Sequence, residues 1–168
     1  YGTIGTAITT IRISLSAFAA QGLNVERVRA LSLVFDDPAH RTGTITFQSI
    51  KFVNTVTGQS LVVDDFTGNP VQNSLGFDIG GIVNISGLPT GARLQWNSND
   101  GSIDYWYSLM TANPSTTTRL NAADYTHLEL KLSGAVGGER FKVELQGYPF
   151  AQDLIRVKST EHNLDAYV

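Results

Sequence analysis

Two glutamates, Glu129 and Glu144, are the residues whose type and place in the pattern could perform acid–base chemistry. Each stands in a stretch of alternating polar and apolar residues. If these two stretches form adjacent antiparallel strands, the glutamates could form a carboxylate pair of the kind that glycosidases use. However, Lys131 and Lys142 each stand two residues from one of these glutamates, which favours plain cross-strand ion pairing. No apolar pocket is evident around either carboxyl group. The pattern therefore predicts a polar strand surface and not a hydrolytic site.

Residues for other kinds of catalysis are missing or scattered. The chain has no cysteine, which excludes disulfides, thiolate metal sites and cysteine nucleophiles. Its three histidines, His40, His127 and His162, show no pairing motif for a transition metal. No Ser-His-Asp order and no nucleotide-binding glycine loop follows a predicted strand. We predict a protein that is not an enzyme.

The stretch 125–147 must position the two glutamates, and it predicts two strands joined by a turn. Polar and apolar residues alternate with a period of two in both halves, which places the apolar set on one face of a sheet. Gly134, Gly137 and Gly138 supply the backbone freedom of a turn, so the two strands are expected to form a hairpin. The apolar positions are Leu128, Leu130, Leu132, Phe141, Val143 and Leu145.

The rest of the chain repeats this kind of short strand between turn signals. A short helical segment with Gly22 as a stop and Asn24 as a cap interrupts the pattern, and a bulge is expected between Phe47 and Ile50, where the apolar phase slips. About nine or ten strands and no long amphipathic helix predict an all-β fold, an antiparallel β-sandwich, as one domain over residues 1–168.

The amino-acid composition narrows the classes of partner that the chain is expected to bind. Lys plus Arg total 12 against 15 for Asp plus Glu, so the formal net charge is −3. This weak acidity argues against a nucleic-acid partner or an anionic membrane, which need a basic surface. No apolar run approaches the roughly 20 residues of a membrane span. We expect neither nucleic acid nor membrane as a partner.

Several segments, taken together, carry a resemblance to a known family. They are VVDDF (62–66), NSLGFDIGG (73–81), ARLQWN (92–97), YWYSLM (105–110), YTHLELKLSG (125–134) and GGERFKVELQ (137–146). Their joint occurrence resembles the galactose-binding-like β-sandwich, a jelly roll, of non-catalytic carbohydrate-binding modules that open with DDF and N-x-LG motifs. The resemblance covers most of the chain and is more specific to the fold than to the ligand.

The order of these segments departs from the family. In the family the DDF strand comes first, whereas here the family's last strands occupy residues 1–54, a connector spans 55–60, and the family's opening part occupies 61–168. The chain therefore resembles a circular permutation, or a piece cut from a tandem array. Either way Tyr1 and Val168 are expected to lie close together.

The resemblance also implies a structural calcium ion, with Asp64 and Asp65 as ligands. The closing strand of the family usually carries an aspartate where this chain has Gln48 or Ser49, so part of that ligand set is missing. The alternative is that Asp64 and Asp65, like the pair at 36–37, cap turns.

The carbohydrate site implied by the resemblance is a concave sheet face that combines aromatic rings with amide and charged groups. Alternation puts Tyr105 and Tyr107 on one face and Trp106 on the other, and Trp96 in the core. The alternative is that all these aromatic residues belong to the core. The predicted carbohydrate-binding residues are Tyr105, Tyr107, Gln95, Arg12, Glu129, Lys142, Glu144 and Gln146.

The resemblance implies a polysaccharide ligand, with β-glucan as one candidate, and an extracellular or cell-surface location beside neighbouring domains of a larger protein. The alternative from a different class is a structural module that packs against its neighbours and binds no sugar. A third is an assembly factor, for which a large exposed apolar patch is expected.

Overall fold

The computed structural model describes residues 4–35, 37–66, 76–79, 83–97, 104–108, 120–147 and 161–163. These residues form eleven strands, the helix α1 (Leu15–Ala20) and a 3-10 turn at Val25–Arg27. The strands are β1 (Thr9–Ser14), β2 (Val28–Val34), β3 (Thr42–Val53), β4 (Ser60–Asp64), β5 (Gly76–Ile79), β6 (Val83–Leu88), β7 (Gly91–Asn97), β8 (Asp104–Ser108), β9 (His127–Gly134), β10 (Lys142–Gly147) and β11 (Glu161–Asn163).

The strands form two antiparallel sheets. Sheet I has the order β1-β9-β3-β7-β6, and β4 pairs with the second half of β3. Sheet II has the order β11-β10-β2-β8-β5. Every described pairing is antiparallel. The predicted all-β fold with an antiparallel sandwich is confirmed.

Aromatic side chains hold the two sheets together. Phe47 of β3 meets Phe141, which precedes β10, with ring centroids 5.8 Å apart. Trp96 of β7 stacks on Phe35, which follows β2, at 4.5 Å. The alternating leucines of β9 are fully buried in the same core. Because both sheets turn their apolar residues inward, the polar residues of each sheet lie on opposite outer sides of the sandwich.

The hairpin predicted for 125–147 is wrong. β9 pairs with β1 and β3 in sheet I, whereas β10 pairs with β2 and β11 in sheet II. The connection between them crosses from one sheet to the other, and the Gly138 N–H donates to the Ile4 carbonyl at 2.8 Å. Gly137 and Gly138 both have positive φ there. Alternation shows that both strands are apolar on one side, but strands that face each other across a core show the same pattern.

The bulge predicted in β3 is confirmed. The register against β9 shifts between Phe47 and Ser49, so Phe47 and Ile50, although three residues apart, both pair with buried leucines of β9 and face the core. A bulge bends and twists its strand. The two halves of β3 meet different neighbours on one edge, with β7 beside the first half and β4 beside the second.

The predicted helical segment occurs, with the predicted stop at Gly22 and the predicted cap at Asn24. Ser14 caps α1 by accepting a hydrogen bond from the Ser16 N–H at 3.2 Å. Gly22 follows the helix with φ of 99°, a conformation that favours glycine and ends helices. Asn24 caps the 3-10 turn through the Glu26 N–H.

The connector at 55–60 is a tight turn within sheet I. Asn54 accepts hydrogen bonds from the N–H groups of Val56 and Thr57, and its amide donates to the Asp124 carbonyl at 2.7 Å. The two strands that it joins, β3 and β4, pair directly with each other. Residues 1 and 168 lie outside the described residues, so the expected closeness of the chain ends, and with it the permuted order, stays a prediction.

No helix among the described residues combines the length and apolar character needed to cross a bilayer.

Candidate functional site

The predicted carbohydrate-binding residues divide between the two sheets. Arg12, Gln95 and Glu129 lie in β1, β7 and β9 of sheet I, whereas Lys142 and Glu144 lie in β10 of sheet II. The outer faces of the two sheets point in opposite directions, so these residues do not converge on one surface. Glu129 and Glu144 therefore do not form the facing carboxylate pair of a glycosidase. Gln146 also belongs to β10, but its side chain lies outside the described part of the structure.

The register of sheet II places the two tyrosine positions opposite core residues. Tyr105 pairs with Leu33 and Tyr107 with Leu31, and both leucines are fully buried. Directly paired residues of an antiparallel ladder share one side of the sheet. The backbone register therefore favours the alternative that these two positions belong to the core side. The side chains of Tyr105 and Tyr107 themselves lie outside the described part of the structure.

The outward positions of β2 and β10 are covered. Ser32 is 0% exposed and Glu144 only 7%, although alternation turns both away from the core between the sheets. Ala30 and Val34, the other outward positions around Ser32, are buried as well. This part of sheet II therefore offers no open groove to a polymer.

The outer face of sheet I is open, and we take it as the candidate site. Its described polar residues are exposed or half-buried, except Ser49, which pairs with Lys131 and is buried at the bulge of β3. Cross-strand register arranges them in rows: Arg12, Glu129 and Lys51 lie side by side on β1, β9 and β3. The face comprises Thr10, Arg12, Thr44, Thr46, Lys51, Arg93, Gln95, Glu129, Lys131 and Ser133.

One ion pair orders part of this face. The Arg12 Nε donates to a Glu129 carboxylate oxygen at 2.8 Å, and the two side chains are 55% and 15% exposed. An exposed pair of this kind contributes at most about 1 kcal/mol to folding. The lysine partner expected for Glu129 is replaced by an arginine from a neighbouring strand. This pairing occupies the carboxylate that was considered for catalysis.

Three basic residues of the face were missed as site residues. Lys51, Arg93 and Lys131 lie on β3, β7 and β9 of sheet I. Their phase in the alternation indicates that they point outward, and that signal was available in the sequence. Which strands lie side by side was not available, so their grouping on one face could not be predicted.

The proposed calcium ligands take part in a turn. Asp64 is buried, and its Oδ1 accepts a hydrogen bond from the Phe66 N–H at 2.8 Å, while Asp65 is exposed. Phe66 has a φ of 55°, in the left-handed region that bulky residues rarely adopt. Calcium takes six to eight oxygen ligands. The described residues contain no group of three or more His, Cys, Asp or Glu side chains around these carboxylates, so calcium binding stays a prediction.

Asp37 forms a second turn, at the end of the sandwich. Its carboxylate accepts hydrogen bonds from the Ala39 N–H and from the His40 ring, both at 2.9 Å, and Arg140 lies 3.7 Å away. Burial raises the pKa of Asp37, but these hydrogen bonds and the charges of His40 and Arg140 outweigh it, so the pKa lies below its ordinary value of 3.8. The carboxylate is therefore a structural cap that joins two loops.

Acidification should remove the contribution of Asp37 to stability. A carboxyl group whose pKa is lower in the folded chain stabilises folding above its unfolded pKa, and this contribution is lost as the pH falls below 3.8 toward the folded pKa. We expect Asp37→Asn to be less stable than the parent chain at pH 7 and the difference to shrink at pH 3 and below. Urea unfolding across this pH range measures it.

The matched control is Asp124→Asn, which removes an exposed carboxylate. A difference between Asp37→Asn and the parent chain that stays constant down to the lowest pH would show that the lowered pKa contributes nothing to stability.

Comparison with known proteins does not assign a function to this face. No protein-family model, no curated protein and no solved structure matches the chain.

Proposed function

We propose that this chain is a non-catalytic module that binds a polysaccharide on the outer face of sheet I. The observation that carries the proposal is the convergence of Arg12, Gln95 and Glu129 on this one open face. Guanidinium, amide and carboxylate groups are the groups that fix sugar hydroxyls in binding sites. The face also presents the hydroxyl group of Thr44, beside Gln95, and that of Thr46, between the two ends.

The shape of the face supports a polymer as the ligand. Glu129 pairs with Lys51 near one end of β3, and Gln95 pairs with Thr44 near the other. At about 3.3 Å per residue, these two rows lie roughly 20 Å apart. A surface this long suits several successive units of an extended chain better than a single sugar ring.

The chemistry of the face supports binding without bond cleavage. Glu129 is the one carboxylate among the described residues of this face, and Arg12 holds it in an ion pair. Hydrolysis of a glycosidic bond uses two carboxyl groups. In this proposal the module keeps a larger extracellular or cell-surface protein at its polysaccharide.

Affinity electrophoresis tests the proposal directly. We expect at least one gel containing soluble β-glucan, xylan, mannan or pectin to retard the chain. Gln95→Ala should weaken the retardation about three- to tenfold, since it removes a hydrogen-bonding amide from the face. A chelator in the gel shows whether calcium takes part.

The matched control is Gln59→Ala, which removes an exposed amide at the β3–β4 turn, outside the face. Retardation by no polymer would overturn the function, and equal retardation of Gln95→Ala and the parent chain would overturn the choice of face.

The structural module remains the second candidate because of one surface feature. Val56, Leu61 and Val62 are exposed around the β3–β4 turn, with Val56 at 87%. Exposed apolar residues grouped beside a strand suit contact with a neighbouring domain. This candidate predicts that no polysaccharide retards the chain, and that Val56→Lys improves its solubility at high concentration.

A further inference from the structure

Charge is unevenly distributed over this chain. The whole sequence has more acidic than basic residues, 15 against 12. The outer face of sheet I has the opposite balance, with Arg12, Lys51, Arg93 and Lys131 against the single described carboxylate of Glu129. One third of the basic residues therefore lie on one face of an acidic chain.

The four basic residues lie close enough to act on one ligand. Lys51 and Arg12 flank Glu129 in one row, and Lys131 follows Glu129 by two residues on β9. Arg93 lies farther along, in the row of Thr46. With strands about 4.8 Å apart and about 3.3 Å per residue, all four positions fall within roughly 20 Å. Screening acts over about 8 Å at physiological salt, so only neighbouring members of the group reinforce each other, and a ligand must span the face to meet all four.

Within the described ranges, most of this positive charge has no counter-charge in ion-pair contact. Among the described residues, Arg12 is the one basic residue of the face that forms an ion pair. Lys51, Arg93 and Lys131 form none within that part of the chain. Lys51 and Lys131 lie diagonally across β3 and β9, with backbone positions roughly 8 Å apart, so their charges repel each other weakly. An anion from outside removes this repulsion, and Arg93 can bind a carboxylate through two parallel hydrogen bonds.

Among its described residues, the face also lacks the aromatic rings on which neutral sugars stack. No Phe, Tyr or Trp occupies a described outward position of sheet I. Neutral pyranose rings are bound largely by stacking on aromatic faces. A face of hydroxyl, amide and cationic groups binds by hydrogen bonds and charge instead.

We infer that the ligand of this face is an acidic polysaccharide whose carboxylates bind to Lys51, Arg93 and Lys131. This inference rests on the proposed function and assigns its substrate class. Arg12 and Glu129 then order one end of the face, and Gln95 contacts hydroxyl groups at the other. A nucleic acid is the less favoured anion, since its single strands stack on aromatic side chains and its duplexes require a strongly basic domain.

Paired polymers with the same backbone test the inference. Affinity electrophoresis with polygalacturonate and with its fully methyl-esterified form compares ligands that differ in charge, and carboxymethylcellulose with hydroxyethylcellulose repeats the comparison. We expect retardation by the charged member of at least one pair and little by its neutral partner. The double variant Arg93→Gln/Lys131→Gln should weaken that binding about tenfold or more, because two charge-assisted contacts are lost.

The matched control is Arg27→Gln/Arg41→Gln, which removes the same charge outside the face. Circular dichroism and the urea midpoint confirm that both double variants fold. An equal loss of binding in the two double variants would show attraction by net charge alone and would overturn the inference.

The remaining outcomes separate the inference from the proposed function. Equal retardation by charged and neutral members of a pair would overturn the inference and leave polysaccharide binding intact. Retardation by none of the polymers would overturn both. Tighter binding to single-stranded DNA than to any polyuronate would overturn the inference in favour of a nucleic acid.

Discussion

Replacing Phe47 by alanine is expected to lower the free energy of unfolding by about 4 kcal/mol. The Phe47 ring is fully buried and packs against Phe141, across the core, and Phe66, with centroids 5.8 and 6.0 Å away. It stands at the bulge of β3, where this strand changes partners from β7 to β4. Its removal leaves a cavity between the two sheets that neighbouring backbone cannot fill.

Urea unfolding of Phe47→Ala and of Val62→Ala tests this expectation. Val62 is 47% exposed on β4, so its truncation should change stability by about 0.5 kcal/mol or less. Phe47→Leu should fall between them because it retains most of the buried apolar volume. A loss below about 2 kcal/mol for Phe47→Ala would show that the sheets repack without this ring.

Gly91→Ala is expected to have the second largest effect, a loss of about 3 kcal/mol or more. Gly91 begins β7 with a φ of 140°, a conformation that side chains rarely adopt. A methyl group there would collide with the Phe47 backbone carbonyl, which belongs to the paired strand and cannot rotate away as a side chain does. The variant must therefore displace the edge where β3 and β7 meet.

Gly58→Ala separates strain from collision. Gly58 also has a positive φ, 78°, but nothing lies within 4 Å of the added methyl group. It should cost about 1 kcal/mol from backbone strain alone. Equal losses of unfolding free energy in Gly58→Ala and Gly91→Ala would show that the collision with the Phe47 carbonyl does not affect stability. Because Arg93 lies two residues after Gly91, Gly91→Ala should also weaken the binding of a ligand to the outer face of sheet I.

Local patterns predicted much of the fold. Alternation identified Leu128, Leu130 and Leu132 as core residues, and the phase slip after Phe47 identified the bulge. These features are visible because each depends on neighbours within a few residues, where the period of a strand is two. The helix caps at Ser14 and Asn24 are local for the same reason, although only the second was predicted.

Strand partners could not be predicted in the same way. The pattern of 125–147 suits a hairpin and a crossing between sheets equally well, and the structure has the crossing. The predicted site residues divide at the same point, since Gln95 and Glu144 both alternate correctly but lie in different sheets. Hydrophobic periodicity reports burial of a face and carries no information about which strand lies beside it.

The sequence by itself determined that Arg12, Lys51, Arg93 and Lys131 point away from a core, since each stands in the polar phase of a strand. Only the tertiary structure brought them to one face, because they come from four strands that are distant in the chain. Arg12 and Glu129, for example, form an ion pair across 117 positions. The net charge of −3 concealed this basic face, since composition sums charges over the chain whereas a ligand meets those of one surface.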